Sequence, residues 1–151
     1  MKSKLSLCLP ILLGWLLLLA GCHETPTPGL ELSLTGTVWK VVELDGQMVA
    51  TETIPTLQLE PSGNRVIGFG GVNRVVGTYR LDGATLYFGP LVATRMAGPA
   101  RQMNVEAKFL QLLGTVTGCR ATGQWLVLLA GDKVVARAQA TPAVPYALPE
   151  K

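Results

Sequence analysis

The stretch "GFGGVNRVVGTY", Gly68 to Tyr79, decides how this chain is to be read, because four glycines fall within ten of its residues. Two readings compete. A dinucleotide-binding loop needs G-x-G-x-x-G at the start of a helix, and a P-loop needs Gly-Lys-Ser/Thr after its glycines. Here Asn73 stands where the third glycine would fall, no Gly-Lys pair exists, and the residues from Arg74 onward alternate like a strand. Glycine within strands marks bulges, bends and close backbone approach instead. Small curved sheets need such bends. Gly68, Gly70, Gly71 and Gly77 are therefore read as corner residues of a coiled antiparallel sheet, with Asn73 fixing a turn.

The flanking sequence extends the β pattern. Val75, Gly77, Tyr79 and Leu81 share one face of a strand, and Arg74, Val76, Thr78 and Arg80 share the other. "GTVWKVVELDG", "PTLQLEPSGN", "RVIGF", "ATLYFGP" and "LVATRMAG" read as further strands closed by turn residues. "QWLVLLAGDKVVARAQA" reads as a hairpin through Gly131-Asp132. One segment differs. Gly98 to Gly114 predicts a helix, with Pro99 at its first position and Gly114 as its stop. Met103, Ala107 and Leu110, together with Val105, Phe109 and Leu113, recur at helical spacing. Such a stripe packs on a sheet more often than it binds a partner. The expectation is a mainly β (α+β) domain over residues 34–140, an open antiparallel barrel-like sheet with one packed helix. Residues 141–151, with three prolines, exclude a central strand.

The start of the chain speaks to location. Lys2 and Lys4 precede an apolar run from Leu5 to Ala20, the layout of a secretory signal. A transmembrane anchor needs about 20 apolar residues, and this run is shorter. It closes on "LAGC", Leu19 to Cys22, which looks like the lipobox of bacterial lipoproteins. Residues 1–21 are thus expected to be removed and Cys22 acylated. Each buried acyl CH2 contributes about 0.8 kcal/mol, so two or three chains anchor a protein to a bilayer durably. Residues 22–33 then form a lipidated tether, "HETPTPG" being polar and proline-containing. His23 in place of Asp favours the periplasmic face of the outer membrane in a bacterium that has one.

Charge and composition exclude several functions. The signal takes two of the 13 Lys and Arg, which leaves 11 against 10 Asp and Glu. That balance argues against nucleic acid as a partner. The only histidine, His23, lies in the tether, so no Ser-His-Asp or Cys-His arrangement can be built in the domain. No spacing of His, Cys and carboxylates suits a metal. Asp45, Asp82 and Asp132 fall in turns, where they cap backbone groups. Glu60 and Glu106 would pair for acid–base work only by accident. No enzyme activity and no cofactor are expected. Cys119 stays alone once Cys8 leaves and Cys22 carries lipid, and reads as a buried, inert thiol rather than a reactive one. Among Arg65, Arg74, Arg80, Arg95 and Arg101, a solvated face is favoured over an anion-binding patch.

The succession "GTVWKVVELDG", "PTLQLE", "VIGFGGVNRVVGTYRLDGATLYFGPLVATRMAG" and "M..E..FLQLL" resembles the META domain of HslJ-like heat-shock lipoproteins. The likeness rests on Trp39, on Gly70, Gly71, Asn73 and Arg74, on Gly77, and on Thr94, Arg95 and Met96. Where many members carry a cysteine in each of two motifs, this chain has Val72 and Gly98, which implies that the two positions are neighbours. The resemblance also implies that Arg74 and Arg95 hold the bends by bonding backbone carbonyls. A stress-related role is a further expectation from it. Two functions are carried forward. One is a monomeric, non-catalytic module that binds an envelope protein. The other is a binder of an acyl chain or other apolar ligand, in a cavity lined by Trp39, Phe69, Leu86, Phe88 and Trp125, although these residues are read as core in preference to a cavity lining.

Overall fold

The computed structural model describes residues 33–50, 52 and 54–141. The expected signal over residues 1–21, the expected acylation site Cys22, the rest of the expected tether to residue 32, residues 51 and 53, and residues 142–151 lie outside them. Nine strands and one helix occur among the described residues. The strands are β1 (Val38–Leu44), β2 (Gln47–Met48), β3 (Thr56–Leu59), β4 (Arg65–Phe69), β5 (Arg74–Asp82) and β6 (Thr85–Ala93). After helix α1 (Ala100–Leu113) come β7 (Gly118–Thr122), β8 (Trp125–Ala130) and β9 (Lys133–Ala140).

All strand pairs are antiparallel, in the order β6-β5-β4-β3-β1-β9-β8-β7, with β2 beside β1. Register shifts at Val41/Glu43, Gly77/Tyr79 and Leu128/Leu129 curl the sheet, since bulges increase local twist. The two edges nearly meet. Cys119 N–H donates to the Ala84 carbonyl at 2.8 Å, and Leu86 N–H to that of Thr117 at 3.4 Å. No ladder forms between β6 and β7, so the barrel stays open.

Alternation places the core as the sequence requires. Trp39, Leu57, Leu59, Val66, Leu86, Leu126 and Leu128 point inward and are essentially inaccessible. Phe109 and Leu113 bring the helix onto them. The buried polar handles are satisfied. Trp39 Nε1 donates to the Leu34 carbonyl at 3.0 Å, and the Tyr79 hydroxyl to that of Glu60 at 2.7 Å.

Three expectations change. "ATLYFGP" and "LVATRMAG" are one strand, β6, up to Ala93. Pro90 is tolerated within it because β6 is an edge, where a missing N–H breaks no ladder. Strand β7 adds to the expected set, because Cys119 is its only buried residue and no alternation marks it. On the helix, Ala107 is exposed and Glu106 is buried. The apolar stripe therefore has a carboxylate in its middle.

Candidate functional site

The buried carboxylate and the glycine-rich stretch meet. After β4 the chain turns through Gly70–Asn73, closed by a hydrogen bond from Gly70 N–H to the Asn73 carbonyl at 2.8 Å. Gly71, at φ 122°, takes a backbone conformation that disfavours side chains. Glu106 Oε2 accepts from the backbone N–H of Asn73 at 2.6 Å and of Val72 at 3.1 Å. Its Oε1 accepts from Asn73 Nδ2 at 2.7 Å. An ionised carboxylate only accepts, and every polar partner here is a donor, so the charge is spread over three N–H groups.

Asn73, 2% exposed, uses its whole amide. Oδ1 accepts from the Met96 backbone N–H at 2.7 Å and from the Thr94 hydroxyl at 2.8 Å, while Nδ2 also reaches the Met96 carbonyl at 3.3 Å. Thr94 Oγ1 in turn accepts from Arg74 N–H at 3.2 Å. One side chain thus ties the β4–β5 turn, the segment after β6 and the helix together. Gly70 makes room for it, since a Cβ there would lie 2.5–2.8 Å from the Glu106 side chain. At Gly68 a Cβ would overlap the Thr56 carbonyl oxygen on the neighbouring strand.

The other motif residues divide by role. Gly77 sits at the β5 bulge. Met96 contributes backbone, and its side chain is exposed. The guanidinium groups of Arg74 and Arg95 make no hydrogen bond among the described residues, so Asn73 and Glu106 hold the corner instead. The side chain of Val72 lies 2.7–2.8 Å from where a Cβ on Gly98 would be, which makes these two positions neighbours, as expected from the resemblance. Cys119 is buried and unpaired, and burial pushes its thiol pKa up.

Of the five residues named for a ligand cavity, Trp39, Leu86 and Phe88 come together in the core, whereas Phe69 and Trp125 do not join them. Trp39 and Leu86 are fully buried in the core. Phe88 packs against that core half-buried. Phe69 and Trp125 fall on the outer face, one step out of phase with the inward Val66 and Leu126. Phe69 instead borders an open outer groove of about 580 Å³, together with Val38, Gln58, Ile67, Arg74 and Val76.

This outer face carries a row that the sequence did not reveal. Register aligns Val38 with Gln58, Gln58 with Ile67, Ile67 with Val76, and Val76 with Val92. Directly opposed residues share a face. Val76 and Val92 are 40% and 70% exposed and Ile67 is half-buried, so β4, β5 and β6 form one apolar row, which Gln58 of β3 separates from Val38. Among the described residues no group of three His, Cys, Asp or Glu could hold a metal, and no helix is long and apolar enough to cross a membrane.

The model of the META domain family matches residues 32–142 of the chain. An NMR structure of a protein from Burkholderia xenovorans is similar over 77% of this chain and 89% of its own, with 25% identity and a TM-score of 0.61. A second NMR structure, 16% identical, covers 68% of this chain and 88% of its own with a TM-score of 0.52, a likeness of fold alone. Among curated proteins none matches significantly.

Proposed function

The chain belongs to the META domain family, and from that premise we propose that it is an envelope lipoprotein whose domain is a non-catalytic interaction module. Acylated Cys22 would anchor it, and the domain would serve envelope maintenance under stress. The observation that carries the interaction reading is the apolar row Ile67, Val76 and Val92 on the outer face. Soluble surfaces seldom keep contiguous apolar patches without a use for them. The polar groups of the glycine-rich corner are consumed in internal hydrogen bonds, which supports a structural role for that motif.

The test has two parts. The chain expressed in a bacterium with a labelled fatty acid should acquire label and partition with membranes, and Cys22→Ala should lose both. The acylated protein, cross-linked in cells, should retain an envelope protein that Ile67→Ser/Val76→Ser releases while its melting temperature holds. Native mass spectrometry of the mature chain after incubation with envelope extract separates the other reading. A lipid bound at one-to-one stoichiometry and unaffected by the double variant would replace the interaction module with an apolar-ligand binder.

A further inference from the structure

We propose that residues 142–151, "PAVPYALPEK", dock back across the outer groove, lying over Ile67 and Val76 with Glu150 at Arg74. The proposal rests on the reading of this face as a docking surface and adds what covers it when no partner is bound.

The exit point supports it. Thr141 N–H donates to the Val38 carbonyl at 2.8 Å, and Val38 lines the groove. Thr141, the last of the described residues, therefore lies beside the groove's rim. Reach is sufficient. Ten residues of extended chain span up to roughly 33 Å. From β1 across β3 and β4 to β5 is three strand spacings, roughly 14 Å.

The chemistry matches as well. Pro142, Pro145 and Pro149 have no N–H to leave unpaired over an apolar floor. Val144, Tyr146 and Leu148 alternate, so an extended segment can turn all three toward that floor. The charges are complementary. Arg65 is paired with Glu60 at 3.6 Å, whereas Arg74 has no carboxylate within ion-pair distance among the described residues. Glu150 is the only acid of the segment.

The experiment places p-benzoylphenylalanine at Tyr146 in the full chain and irradiates it at micromolar concentration. The expected result is an intrachain cross-link to the peptide spanning Ile67 to Val76. Its yield should fall several-fold with Ile67→Ser or Arg74→Glu, both partly exposed positions whose variants can be checked for an unchanged melting temperature. Cross-links no more abundant than in denatured protein, or directed to another face, overturn the proposal. So do cross-links between chains that vanish on dilution. Failure of the partner-release test with an intact intrachain cross-link would remove the interaction module and leave the docked segment standing.

Discussion

Asn73 concentrates more of the fold than any other polar residue described, because its side-chain amide makes four hydrogen bonds that join its own turn to two other parts of the chain. Asn73→Asp removes both donors and sets a second carboxylate against Glu106. It should cost about 2–4 kcal/mol, since stranding buried partners costs about 1–3 kcal/mol and more when charge is involved; urea unfolding at neutral pH reads this directly. Gly68→Ala should destabilise at least as strongly, because the obstacle is backbone rather than a side-chain tip. Refolding yield and melting temperature would both fall, and an unchanged melting temperature would contradict the close approach. Asp45 offers a pH-dependent case. Its bond to Lys133 at 2.7 Å, with a smaller contribution from Lys108, lowers its pKa from the ordinary 3.8. A carboxyl lowered by folding stabilises fully above its unfolded pKa and loses that contribution as pH falls through its folded one. Asp45→Asn should accordingly narrow the difference in melting temperature between pH 7 and pH 3, modestly because the pair is exposed to solvent.

At the scale of elements, the helix matters most as a lid on the open barrel. Phe109 is fully buried beneath it. Phe109→Ala should cost about 3–5 kcal/mol, read by chemical denaturation with the helical circular dichroism signal retained at low denaturant. The strands from β3 to β5 and the β8–β9 hairpin were legible because alternation and turn residues agree in them. The elements that stayed hidden had no local signature. Strand β7 exists because β8 pairs with it, not because "GCRAT" asks to be extended. Glu106 lies three residues before Phe109 and seven before Leu113, on the face where spacing demands an apolar residue. That mismatch was a visible signal, but its meaning depended on Gly70, 36 positions away, having no side chain. The outer row was hidden for a related reason. Each of its residues is an ordinary valine or isoleucine on the outward side of its own strand, and only register across β4, β5 and β6 makes them adjacent.

For the whole molecule, the open sheet and its core could be anticipated from pattern, whereas the place of Phe69 and Trp125 could not. Residue type alone assigns both to the core, and parity in their strands puts them on the surface. Cys119 reports on the whole fold. Its burial and raised pKa should keep reaction with a thiol reagent at pH 7 far slower in the native chain than in urea, so the rate serves as a probe of global opening. The central position of β1, paired on one side with β3 and on the other with β9, has a further consequence. The strand made first is completed by the strand made last, about a hundred residues later. Contacts so distant in sequence form slowly. A ribosome releasing this chain therefore holds a polypeptide whose sheet cannot be completed until β9 has emerged. The order of the strands thus delays the joining of the β6-to-β1 half of the sheet to the β9-to-β7 half.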